Sequence, residues 1–185
     1  MRDTIVAPVL ATLLLIGADI MLFAGLVFAF WVLRLAAPVW PPPLQPRLPL
    51  GVTAANTVVL LGSSAAMVAA TRALARGRSG AVARRLGLGA LLGSLFLAVQ
   101  GYEWTRLVGF GLTVSSGIFG ALFYTLVGAH AVHLAAALAW LIATAIRAGR
   151  GRLPDSRADV VQACALYWHF VVALWPLLYV SVYLA

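Results

Sequence analysis

Apolar residues run along this chain in five long stretches, parted by short segments rich in arginine, proline, glycine and serine. Each stretch is near the roughly 20 residues an α-helix needs to cross a bilayer. The first covers about residues 5–33, with Pro8 in its opening turn, where a missing N–H is tolerated. The second covers about 52–71 and the third about 86–107. Residues 108–146 carry no charge and are too many for one span, but "GFGLTVSSG" at 109–117 interrupts them. The fourth helix is therefore expected over 115–146 and the fifth over 160–185. Between the first two, "PVWPPPLQPRLPLG" holds too many prolines for a helix. The pattern predicts an all-α, polytopic membrane protein: a five-transmembrane-helix bundle in which residues 1–185 form a single membrane domain. The opening stretch is too long for a cleaved signal and is interrupted by Asp19, so it reads as a retained span.

Composition agrees. The chain is 63% hydrophobic and 10% charged, where a soluble domain carries about a quarter charged residues. It has 13 basic residues, all arginine, against 5 acids. Arginines flanking membrane helices set topology, so the basic balance gives no reason to expect nucleic acid as a partner. Arg2, the arginines at 72–85 and those at 147–157 fall on one side of a five-span chain; Arg34, Arg47 and Arg106 fall on the other. The positive-inside rule then predicts a cytoplasmic N-terminus and an outside, periplasmic C-terminus. Cys164 is the lone cysteine, which excludes an internal disulfide, a Cys-x-x-Cys-His haem attachment and a copper site on paired thiolates. It reads as a small buried hydrophobe.

Polar groups at membrane depth are few. Asp19 lies about 16 Å beyond Pro8, near the middle of a roughly 30 Å core. His130 is about 22 Å from Ser115, and His169 about 14 Å from Val160. Glu103 is nearer the outer interface, with Gln100 and Trp104 on its face and Arg106 within pairing reach. An ionisable group inside a membrane is expensive, hence a functional candidate by default. The alternative is a hydrogen bond between helices, of about 0.6 to 2 kcal/mol. "GAHAVH" at 128–133 puts His130 and His133 one turn apart on one face. Zinc wants three or four protein ligands. A bis-histidine haem wants ligands on opposite sides of the ring, which only His169 facing one of the pair would supply. Helix joining is the simpler reading. Gly117, Gly120, Gly128 and the alanines around them, with Gly89 and Gly93 on the third helix, read as close-packing positions.

Six blocks in order carry a resemblance. "GADIMLFAGLVFAF" at 17–30 places an acid before a phenylalanine-rich stretch; "WPP" follows at 40–42 and "NTVVLLGSS" at 56–64. "QGYEW" at 100–104, "FYTLVGAHAVHL" at 123–134 and "YWHFVVALW" at 167–175 complete the series. The chain resembles subunit III of the haem–copper terminal oxidases (the cytochrome c oxidase subunit III family) in its short five-helix form. The motif positions are Trp40, Asn56, Gln100, Trp104, Gly128, Tyr167 and Trp168. Asp19 stands where the family usually has glutamate, Val172 where it usually has aspartate, and the two N-terminal helices of the seven-helix form are missing.

The resemblance implies an accessory, non-redox subunit of a respiratory complex that reduces oxygen to water and pumps protons. The chain itself is then not catalytic and holds no cofactor and no metal; haem and copper belong to partner subunits. Its partners would be subunit I as the main contact, subunit II, further respiratory-complex subunits and membrane phospholipid. Its place would be the inner (plasma) membrane of a bacterium, as a multi-pass protein. Asp19, Glu103, His130, His133 and His169 are the candidate intramembrane polar, lipid-cleft residues. The alternatives are an accessory subunit of a quinol oxidase or nitric oxide reductase, a small proton or ion carrier using Asp19 and the histidines, and a haem-binding membrane protein.

Overall fold

Hydrocarbon offers backbone groups no partners, so a chain this apolar must satisfy them within each segment. The computed structural model, which describes residues 3–43, 45–46, 48–151 and 157–184, does so with helices. They are α1 (Asp3–Ala36), α2 (Leu50–Ala75), α3 (Ser79–Gly109), α4 (Ile118–Gly149) and α5 (Arg157–Tyr179). A π-helical turn, Val180–Leu184, closes the last. All five are long and apolar enough to cross a membrane, and no strand occurs among the described residues. The chain is a multi-pass membrane protein.

Most helices outrun the apolar stretches that predict them. α3 begins at Ser79 rather than near 86, because arginine is a good helix former whose head reaches back to polar groups. Arg85 Nη1 donates to the Ala69 carbonyl of α2 at 2.6 Å. α2 runs to Ala75 and ends in a turn with Gly77 at φ +67° and the Arg78 amide on the Ala73 carbonyl at 3.0 Å. α4 starts later than expected, at Ile118 instead of Ser115. There the backbone is held in a turn, with Ser116 Oγ donating to the Thr113 carbonyl at 2.8 Å. Gly117 follows at φ +119°, a conformation that side-chain-bearing residues rarely adopt. Of the residues invoked for topology, Arg2, Arg47 and Arg152 lie outside those described, as does Ala185 at the end of the last expected span.

α5 is the hub, packing on α1, α2 and α4, while α2–α3 and α3–α4 are neighbours. Trp168, Trp175, Phe23, Phe96, Phe123, Leu60 and Met67 fill the interior. Gly89 and Gly93 let neighbouring helices come close. A Cβ at Gly93 would sit 2.6 Å from the Trp168 ring and 3.2 Å from Leu138, and one at Gly89 would sit 3.4 Å from the Ser63 carbonyl oxygen. Gly117 and Gly128 correct the packing expectation. A Cβ at either would meet nothing within 4 Å, since Gly117 serves the turn and Gly128 faces open space.

Arginines gather at the bundle's two ends. Arg72, Arg76, Arg78, Arg84 and Arg85 surround the α2–α3 turn, and Arg147 and Arg150 end α4 on the same side. Arg34 and Arg106 lie in the last turns of α1 and α3, at the other end.

Candidate functional site

Three helices bring polar groups together midway along the bundle. Asp19 on α1 is buried, 5% exposed. Tyr167 on α5 donates its hydroxyl to Asp19 Oδ2 at 3.0 Å. His133 on α4 places Nε2 3.5 Å from Asp19 Oδ1. Its other nitrogen, Nδ1, is 2.7 Å from the Ala129 carbonyl oxygen, one turn back on its own helix. Phe23 lies edge-on to the His133 ring at 5.2 Å and closes one side of the group. This arrangement follows from spacing. Asp19 and Phe23 are four apart on one face of α1, and that face meets α5 and α4.

His130 shares His133's helix face but not its partners. It is 1% exposed, stacked on Trp175 at 5.2 Å and edge-on to Phe23 at 6.4 Å. Neither ring nitrogen finds a hydrogen-bond partner among the described residues. Aromatic packing therefore holds it.

His169 lies apart, two residues beyond Tyr167 and so on another face of α5. Its Nδ1 is 2.6 Å from Ser64 Oγ of α2. It lines a cavity of about 540 Å³ between α2 and α5, with Thr71, Leu74, Gln162 and Leu166. Glu103 is also separate. It is buried and pairs with the more exposed Arg106, whose Nη1 donates to Oε1 at 3.2 Å. Asp19, His133 and Tyr167 thus meet in space, whereas Glu103 and His169 do not join them. Among the described residues no three of His, Cys, Asp or Glu stand close enough together to hold a metal ion.

Apart from Gly128, the remaining motif residues tie elements together with neutral contacts. Asn56 Nδ2 donates to the Phe96 carbonyl at 3.0 Å, and Gln100 Nε2 to the Tyr183 hydroxyl at 3.2 Å. Trp168 Nε1 donates to Ser63 Oγ at 3.2 Å. Trp104 lies edge-on to Tyr124 at 5.9 Å. Trp40 packs between Phe30 and Phe119 at 5.7 and 5.3 Å, pinning the proline-rich loop across α1 and α4. Val172 is 1% exposed in the core, so a valine fills the place where the acid was expected. Sequence reasoning missed Thr57, Ser63 and Ser64 as acceptors and partners. Thr57 receives Trp175 Nε1 at 2.8 Å. Their signal is the run of small polar residues in "NTVVLLGSS", with 57 and 64 two turns apart on one face.

Comparison with known proteins gives a consistent result. Residues 8–185 match the family model described as cytochrome c oxidase subunit III. The chain is 33% identical over 172 residues to cytochrome c oxidase subunit 3 of Synechocystis sp., covering 92% of this chain and 72% of that protein. It is equally 33% identical over 172 residues to the subunit 3 of Bacillus subtilis, covering 92% and 83%. Against that of Dasypus novemcinctus it is 32% identical over 177 residues, covering 92% and 67%.

Proposed function

The chain belongs to the cytochrome c oxidase subunit III family, and from that premise we propose that it is a cofactor-free accessory subunit of a respiratory haem–copper oxidase. It docks on subunit I, with subunit II in the same complex, in the inner membrane of a bacterium. The observation that carries this reading is the match over residues 8–185, nearly the whole chain. Oxygen reduction and proton pumping then belong to the haem and copper subunits. The contribution of this chain is packing, orientation and lipid retention beside them.

Two structural features support the docking role. Leu14, Met21, Phe28 and Leu35 recur every seventh residue on α1, and all four are exposed. They form one apolar face turned away from the bundle, fit for a partner helix or lipid. A groove of about 240 Å³ between α1 and α5, lined by Ile20, Val27, Phe170, Leu174 and Leu177, has the apolar lining an acyl chain needs. We assign it to bound phospholipid. The arginine-rich end of α2, α3 and α4 favours the cytoplasm by the positive-inside rule, which puts the N-terminus in and the C-terminus out.

Purifying the tagged chain from its own membranes in mild detergent tests the proposal. Oxidase subunits I and II and phospholipid should elute with it. Recovery of the chain alone, or with an unrelated transporter, sinks it. Removing the chain should leave initial oxygen turnover intact in a complex with full haem and copper content, while activity decays sooner. Immediate loss of turnover in that fully loaded complex would mean a direct catalytic role.

A further inference from the structure

We propose that the cavity between α2 and α5 binds the head of a lipid-soluble quinone, with His169 and Gln162 donating to its two carbonyl oxygens. Ser64 sets the chemistry of the wall. Its Oγ has one hydrogen-bond contact among the described residues, His169 Nδ1 at 2.6 Å. The neighbouring Ser63 hydroxyl donates instead to the Leu60 carbonyl of its own helix. The hydrogen of Ser64 therefore goes to Nδ1, which must accept it, and a neutral imidazole then carries its own hydrogen on Nε2. The ring lines the cavity of about 540 Å³, so Nε2–H is a donor held on its wall.

The rest of the wall selects the ligand. Gln162 and His169 lie two turns apart on one face of α5, about 10 Å along the helix. From α2, the Thr71 hydroxyl donates to the Val68 carbonyl at 2.9 Å, which leaves its oxygen free to accept. The lining residues include no charged side chain, so a phosphate or ammonium group inside would be desolvated without a partner. The ligand is therefore neutral. Leu74 and Leu166 give it an apolar surface to pack on, while Ala75, Ala158 and Ala165 leave the helix faces smooth enough for a flat ring. Two carbonyls on opposite sides of a six-membered ring, each accepting a hydrogen bond of about 2.9 Å, span close to the separation of His169 and Gln162.

An acyl chain fits this cavity less well, because it would leave an imidazole, an amide and a hydroxyl facing hydrocarbon with their hydrogen bonds unmade. The groove between α1 and α5 has the opposite character, lined by Ile20, Val27, Phe170, Leu174 and other apolar side chains. The two hollows thus divide by chemistry, one without a hydrogen-bonding side chain and one with three. The quinone site is also separate from the Asp19 group, since Tyr167 turns to α1 and His169 to α2. Both of its walls belong to this chain. It binds the ring and carries no electron step.

The test is photolabelling of the purified complex containing the full chain, with a ring-azido ubiquinone as the probe. Label is expected on peptides of this chain that cover residues 71–75 and 158–169. Excess decylubiquinone should prevent it, and excess dioleoylphosphatidylcholine should not. His169→Leu and Gln162→Leu each remove one hydrogen bond to the ring, so each should raise the protecting quinone concentration about three- to tenfold. Gln162 is exposed, so its variant carries the test alone should His169→Leu fail to assemble. Absence of label from both peptides overturns the proposal, as does unchanged protection in an assembled variant. Protection by the phospholipid assigns the cavity to an acyl chain and overturns it too.

Discussion

The two sides of α5 are built differently. Toward α2 and α3 it meets a seam of neutral donors and acceptors, Trp168 on Ser63 and Trp175 on Thr57, closed over Gly93. Toward α1 and α4 it meets ionisable groups, with Tyr167 on Asp19 and His133 across from it. The first seam is tight because glycine lets an indole lie against a backbone. The second joins a helix that keeps little of itself inside the chain. In the most apolar stretch of α1, 17% of residues are buried, against 50% for α5. α1 is therefore held by few, specific polar contacts and leaves a broad apolar face outward. The α2–α3 side is closely packed, and the α1 side is sparsely buried within this chain.

The largest effect that would break this contrast is at Gly93. Gly93→Ala forces a methyl to 2.6 Å from the rigid Trp168 ring, and overpacking of that kind costs about 1–3 kcal/mol. Thermal unfolding of the purified complex, followed by release of this chain, should show the loss. A matched Gly128→Ala should show none, because a Cβ there meets nothing within 4 Å. Next comes Tyr167→Phe, which removes the neutral donor from Asp19 Oδ2. Leaving a buried acceptor unsatisfied costs about 1–3 kcal/mol. The damage should localise to α1, read as faster hydrogen exchange or proteolysis of α1 with α2 and α3 unchanged. Equal loosening of all helices would erase the distinction between the seams. The smallest effect is expected for Ser63→Ala, which deletes one neutral bond from Trp168. Intramembrane hydrogen bonds average about 0.6 kcal/mol in double-mutant cycles, so a shift in unfolding midpoint near the limit of measurement is expected.

How much of this was legible in the sequence follows the physics of each signal. Hydropathy integrates over twenty residues, so all five helices were readable. Their ends were not, because arginines such as Arg84 and Arg85 look like loop residues yet continue a helix while their heads reach polar groups. Asp19 and the histidines stood out as costly at depth, but their partners did not. Tyr167 is 148 positions from Asp19, and no local periodicity connects them. The equal spacing of His130 and His133 hid their difference, since an imidazole's surroundings depend on which ring or carboxyl the neighbouring helix presents. Gly128 misled for the same reason. A glycine is a packing residue only where another helix comes near.

The hub position of α5 has a consequence for how the chain is made. α1 enters the membrane ahead of α2 to α5 and meets its main partner, α5, last of the four. Until Tyr167 emerges, Asp19 must wait beside lipid, or beside α4 alone, without its hydroxyl donor. Synthesis from the N-terminus thus builds α2, α3 and α4 as consecutive neighbours while the first helix stays loosely attached. A chain that stops before residue 157 leaves the buried Asp19 carboxyl without the Tyr167 hydroxyl that the finished fold gives it.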